Sequence, residues 1–469
     1  MHHLIVLVVY NPLLQIATIC ISPFLFYFLC SLLWLVLDPP TISTSLVIEV
    51  DPLIAPCLRM SSPHEKYLSY LPHSGFHNQR IALENALTLS RILNRTLLIP
   101  PIRLGRPLRY VNYNSLYSFV ALSGKNNLTH CSKTALDVPL PSECLDYFGY
   151  TFLPWEWLFD FFAIIHDNQQ AIFRWNLTDA WISECLNISS SDVRVLKDSS
   201  RYHFRFSDDP SNKRKSKFSE DLQISTLTSF PETLLQFGTL FGSSRLYLSE
   251  PTHYHIRSQI RENMIITNPY LLRVADLVAK SLGDSYLGVH VRLGDGQFQV
   301  DDGARARSVW SSLVQDKLGL STEEARVLEQ NSIVLPDEPL DGSQEPLRDI
   351  LGSRLQCRGG DHTQAHLLPL NTPLFIATDA KDPTTNPHLA LFFNTFPCAF
   401  HLGDFAEHLT ILNQLENHLD GVKLKSFLLP FLDAMIVGKA AVAVGTPGST
   451  FSTYVTDVLW PKYYNLKIT

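Results

Sequence analysis

No D-x-D aspartate pair occurs anywhere in the 469 residues, and neither does a C-x-x-C pair or a G-x-G-x-x-G turn. The first absence removes the usual carboxylate holder of a divalent ion beside a sugar diphosphate. The second removes the usual spacing of a structural zinc site, and the third removes the dinucleotide fingerprint. Basic residues are in deficit: the formal net charge of −7 gives no electrostatic reason to expect nucleic acid. No internal repeat is visible. Between Leu4 and Leu37 there is no Asp, Glu, Lys or Arg. Leu13 to Leu37 alone would span the ~30 Å hydrocarbon core, for which about 20 apolar residues suffice. A cleaved signal peptide wants a basic n-region and an apolar stretch of about 7–15 residues, and both conditions fail here. Residues 1–40 are therefore expected to form an N-terminal signal-anchor. Its orientation is weakly marked, because no Lys or Arg precedes Arg59.

What is present argues for large folded cores. Hydrophobic residues make up 45% and aromatics 11%, which excludes a disordered chain, and the length predicts two or three domains. The most informative stretch is His290-Val291-Arg292-Leu293-Gly294-Asp295, which closes the apolar run Tyr286-Leu287-Gly288-Val289. Side chains alternate along a strand, so His290 and Arg292 project to one side, Val289 and Val291 to the other. A guanidinium at the carboxyl end of a buried strand belongs at the ligand-binding mouth of an α/β sheet. Its planar fork suits phosphate. Taken alone, the same residues also make a salt-bridged strand end.

Three further segments repeat the pattern. Tyr67-Leu68-Ser69-Tyr70-Leu71 runs into the polar turn Pro72 to Arg80, then into a helix from Ile81 to Leu93. Ala82, Ala86, Leu89 and Leu93 form its apolar stripe, with Glu84, Thr88 and Arg91 elsewhere. Asn94-Arg95-Thr96 ends the helix, and Leu97-Leu98-Ile99 before Pro100-Pro101 is the next strand, completing a βαβ unit with its loop at a helix N-terminus. Ala440 to Val444 leads through Gly445-Thr446-Pro447-Gly448 into a second such helix, capped by Ser449 or Thr450. Leu374-Phe375-Ile376-Ala377 is a strand ending in Thr378-Asp379.

Together these blocks resemble the GDP-fucose-dependent O-fucosyltransferase superfamily. Gly75-Phe76-His77-Asn78-Gln79, Leu93 to Leu97 with Pro100-Pro101, the His290/Arg292/Gly294/Asp295 motif and Gly448-Ser449-Thr450-Phe451-Ser452 stand in the family's order, across roughly Tyr67 to Val458. The resemblance implies an α/β chain of GT-B type: two facing Rossmann-like domains, here preceded by a transmembrane helix. It also implies donor contacts from Gly75, His77, Asn78, His290, Asp295, Asp379, Ser449, Thr450 and Phe451. Asn78 would reach the nucleotide sugar from the facing domain, and Asp379 would lie near the base. The reaction implied is inverting fucosyl transfer from GDP-fucose to a hydroxyl, on Ser or Thr of a secretory-pathway protein or on a glycan. A membrane-tethered protein that keeps the fold and binds nucleotide sugar or glycan without transfer is the competing reading.

The expected layout is a stem over 41–63, an acceptor-side domain over 64–268 and a donor-side domain over 269–469. Lys213-Arg214-Lys215 with Lys217 is a solvated basic run, Pro336 to Pro346 an acidic, Pro-rich insertion, and Ala304 to Asn331 two helices split near Gly319. Phe152 to Trp157 is an aromatic patch expected to pack in the core rather than stack a ligand. Six cysteines outside the membrane segment (Cys57, Cys131, Cys144, Cys185, Cys357, Cys398) permit up to three disulfides, with fifteen possible pairings. With sequons at Asn94, Asn127, Asn176 and Asn187, they place the body in the lumen of the Golgi or endoplasmic reticulum.

Breaking a sugar–diphosphate bond puts negative charge on the leaving phosphate. Without D-x-D, Arg292 is the natural stabiliser and no metal or other cofactor is expected. The acceptor base is less clear. One branch of the family carries a Glu where Ser74 stands here, which leaves His73 and His77 as the candidates.

Overall fold

Two of the predicted buried strands become the centres of two parallel sheets. The computed structural model describes residues 64–468 apart from 126, 135–137, 166–169, 212–215, 295–300 and 334–354. In the first sheet β1 (Tyr67–Ser69), β2 (Thr96–Ile99), β3 (Ala171–Phe173), β4 (Val193–Leu196) and β5 (Leu234–Phe237) stand in the order β3-β2-β1-β5-β4. In the second, β6 (Leu287–Val291), β7 (Leu374–Thr378), β8 (Ala399–His401) and β9 (Val442–Gly445) stand in the order β8-β7-β6-β9. Every pairing in both is parallel. The chain winds outward from β1 in one direction and returns on its other side, and it does the same about β6. The carboxyl ends of β1 and β6 are therefore topological switch points, where a crevice opens between diverging loops. The two main motifs follow directly from those ends.

Burial bears out the strand-face argument. Leu287, Val289 and Val291 join one apolar cluster with Val309 and Trp310, whereas His290 turns to the opposite face, against Phe451 and Ser452. Helix α1 (Phe76–Ile92) departs from expectation in two ways. It begins at Phe76 with Gly75 at its N-cap, so Phe76 to Arg80 are its first turn rather than loop. Glu84 and Thr88, expected off the apolar stripe, are buried with the rest of it. The reason is tertiary: α2 (Pro251–Asn263) packs on the outer side of α1 and brings Arg257 and Arg261 onto Glu84.

Asn268 is the N-cap of α3 (Pro269–Leu282), its side chain accepting from the N–H groups of Tyr270 and Leu271, with Pro269 at the first helical position. Beside α3 packs α4 (Lys425–Lys439), which also covers β6. The helices over Asp302–Ser311 and Thr322–Ile333 separate at Gly319, whose φ of +78° suits glycine. Trp155 of the aromatic patch is core, its indole N–H donating to the Pro100 carbonyl. Cys131 pairs with Cys144 and Cys357 with Cys398, and Cys185 is also disulfide-bonded. All four sequon asparagines are exposed. The expected signal-anchor and stem, Cys57, Lys213 to Lys215, Asp295 and the Pro336–Pro346 insertion lie outside the described residues. Among the described residues no helix is long and apolar enough to cross a membrane.

Candidate active site

At the end of β1 the chain turns through Pro72-His73-Ser74-Gly75. Ser74 takes a left-handed φ of 64°, unusual for a residue with a Cβ. The Gln79 side chain holds the turn: its amide donates to the Ser74 and Arg103 carbonyls (3.0 and 2.8 Å) and its oxygen accepts from the Arg103 N–H. With the turn pinned, the first residues of α1 present His77 and Asn78 to the second sheet.

There, the helical run that starts at Thr450 comes to meet them. Ser449 caps it, accepting from the Ser452 N–H, as its place before the run predicts. The Thr450 hydroxyl donates to the Asn78 side-chain oxygen at 3.0 Å, joining the first and last motifs directly. Phe451 lies stacked on the His290 ring at 4.0 Å, with the His77 ring against it at 4.9 Å. His290 Nδ1 is 2.7 Å from the Ser452 hydroxyl. Gly445 makes room for this: a Cβ there would sit 2.5 Å from that of Ser452.

Arg292 leaves the end of β6 beside both. Its backbone N–H donates to the Thr446 hydroxyl (2.9 Å), which itself donates to the His290 carbonyl. Its Nε is 3.2 Å from a carboxylate oxygen of Asp379, at the end of β7. That carboxylate also accepts the N–H groups of Leu293 and Gly294. Next to the Gly445–Pro447 turn opens a cleft of about 340 Å³, lined by Ser308, Val309, Ser311, Ser312 and Asp316.

The structure thus brings His77, Asn78, His290, Arg292, Asp379, Ser449, Thr450 and Phe451 to one place, with Gly75 as the cap that starts α1. Asp295 falls outside the described residues. His73 faces elsewhere. Its two ring nitrogens meet the Ser74 and Thr239 hydroxyls at 2.8 and 2.6 Å, and its ring packs on Tyr110 and Phe241. Sequence reasoning missed Gln79, Thr446 and Ser452 as holders of the site, although all three lie inside the quoted blocks. Ser452 stands three residues after the cap Ser449, a spacing that places it on the first turn.

Electrostatically the site is poor in bases and rich in positive charge. Burial first, then Arg292, lowers the His290 imidazole to about 3. Burial also takes His73 down to about 3, with Arg245 and Arg201 adding to it. His77 is held well below its ordinary value by burial and then by Arg80, His290 and Arg292. All three rings are neutral at pH 7. A general base works best with a pKa near the operating pH, so the geometry suits His73 and His77 to positioning better than to proton abstraction. Burial, the larger cause, disfavours a charge of either sign here, and only the guanidiniums of Arg80 and Arg292 favour an anion.

No family model matches the chain. O-fucosyltransferase 30 of Arabidopsis thaliana is 60% identical over 38 residues, and the match spans 8% of this chain and 8% of that relative's length. Among solved structures, POFUT1 in complex with GDP-fucose aligns at 12% identity and a TM-score of 0.36, covering 83% of this chain and 93% of its own. Fucosyltransferase NodZ from Bradyrhizobium aligns at 12% identity and a TM-score of 0.35, covering 84% and 93%. The sequence likeness to a known protein is confined to that 38-residue segment, and structural alignments this loose carry no argument beyond it.

Proposed function

We propose that this chain is an inverting glycosyltransferase that carries fucose from GDP-fucose to a hydroxyl acceptor, most naturally Ser or Thr of a secretory-pathway protein. The observation that carries the reading is the Thr450–Asn78 hydrogen bond, which joins the segments after β1 and β9 beside the His77–Phe451–His290 rings, on which the Arg292 charge at the end of β6 also acts. Polar groups from three separate segments gather here, a donor set of the kind a diphosphate needs. The guanidinium stabilises charge as it develops on the departing phosphate, and Ser449, Thr450 and the first turn they open donate to its oxygens. The hydroxyl-lined cleft beside Pro447 has room for the nucleoside. Residues 64–268 would form the acceptor side and 269–469 the donor side of a GT-B pair. The N-terminal segment would tether both in the lumen of the Golgi or endoplasmic reticulum.

Donor choice is tested by thermal unfolding of the full chain with GDP, GDP-fucose and UDP-sugars. A ligand that binds only the folded form raises its apparent stability by mass action. GDP and GDP-fucose are expected to raise the melting temperature and UDP-sugars to leave it unchanged; the opposite pattern sinks the donor assignment.

Metal independence is tested separately. With Arg292 in the place of an ion, donor hydrolysis or fucosyl transfer is expected to persist in excess EDTA. Activity abolished by EDTA and restored by manganese would show that the phosphate chemistry runs through a metal.

A further inference from the structure

The Asp379 carboxylate is occupied on both oxygens by one short piece of chain. Oδ1 accepts from the Leu293 N–H at 2.7 Å, and Oδ2 from the Gly294 N–H at 2.8 Å. Oδ2 also lies 3.2 Å from Arg292 Nε. The backbone on which Arg292 is carried and the inner edge of its guanidinium are thus tied to the same carboxylate. Gly294 is what lets the carboxylate close. A Cβ there would stand 2.5 Å from Oδ2, nearer than nonbonded atoms approach.

A guanidinium is planar and rigid, so engaging Nε fixes the plane of the whole fork and the direction of its outer nitrogens. Preorganisation of this kind lets a donor stabilise transition-state charge without reorienting during the reaction. We propose that Asp379 is the positioning residue for Arg292, setting the guanidinium toward the β-phosphate of a bound nucleoside diphosphate. This rests on the donor-site reading above and differs from the role near the base that family resemblance implies for Asp379. A residue that reads the base affects every guanine nucleotide alike. One that aims Arg292 affects only those with a β-phosphate.

The test is calorimetric affinity of the full chain for GDP and for GMP, which lacks the β-phosphate, in wild type, Asp379→Asn and Gly294→Ala. Asparagine puts an amide NH2 against N–H donors that need an acceptor. Alanine pushes the carboxylate off by sterics while leaving its chemistry intact. Both variants are expected to weaken GDP roughly 10–100-fold and GMP by less than about threefold. In an Arg292→Lys background, Asp379→Asn should weaken GDP by less than about twofold further, because coupled residues do not add. Parallel loss of GDP and GMP, or no loss of either, overturns the proposal. A merely structural role lowers the melting temperature without separating the two nucleotides, and that also overturns it. If Asp379→Asn does not fold, Gly294→Ala decides alone. A wild type that binds neither nucleotide overturns the donor reading and the proposal with it, an outcome distinct from the others.

Discussion

Arg292→Ala is expected to lower turnover by roughly 10²–10³, the usual cost of removing one preorganised stabiliser of transition-state charge. Arg292→Lys should fall almost as far. Lysine keeps the charge but offers a point donor on a flexible stem, and it loses both the planar fork and the Nε contact to Asp379. The fold should survive either change. In Arg292→Ala the Asp379 carboxylate still accepts from the Leu293 and Gly294 N–H groups, so it is not left without partners. Turnover is measured as fucosyl transfer or donor hydrolysis, and melting temperature on the same preparations. Near-normal turnover in Arg292→Ala, with only the melting temperature changed, would make Arg292 a strand-end ion pair and remove the centre of the mechanism.

The largest stability effect is expected at Glu84. Its buried carboxylate meets Arg257 at 3.0 Å, Arg261 at 2.8 Å and Arg80 at 3.3 Å. Burial alone would raise the carboxyl, but the guanidiniums of Arg257, Arg261 and Arg80 outweigh it and hold the group at about 2, against an ordinary 4.5. Glu84→Gln leaves three cations without their counter-charge and should cost about 3–5 kcal/mol of stability. The pH dependence follows from the direction of the shift. A depressed folded-state pKa contributes stability that is complete above about pH 4.5 and is lost as pH falls through about 2. That contribution is about 3 kcal/mol. Urea unfolding of wild type and Glu84→Gln at pH 7 should show the full gap, and the gap should close progressively below pH 4.5. Equal stabilities at pH 7 would show the cluster to be energetically neutral. Activity should fall with stability, since Arg80 also lies over the Tyr454 ring at 4.7 Å, and Tyr454 packs against His77.

Much of this was legible from local pattern. Strand alternation placed His290 and Arg292 opposite Val289 and Val291, as the two faces of β6 show. A hydroxyl residue ahead of an apolar run placed the Ser449 cap, and Gly319 marked the break between helices. These features depend on backbone geometry over a few residues, so their signal is contained in the residues themselves. The arrangement of the site is of another kind. Periodicity shows which residues of α1 turn inward from one sheet, but says nothing of what packs on its other side. Glu84 therefore stood only as a position off the apolar stripe, and α2 is what covers it with arginines. Among the described residues Arg292 pairs with Asp379, which stands at the end of a neighbouring strand about ninety residues on. His73 and His77 are ordinary histidines on paper, and only burial, with nearby guanidiniums, takes them well below the ordinary imidazole pKa. The disulfide pairings had no local mark either. The sequence by itself determined the buried strands of two parallel sheets and the polar loops that follow them. The tertiary structure alone decided which charges meet, because an ion pair or hydrogen bond between distant segments leaves no trace in the spacing of either one.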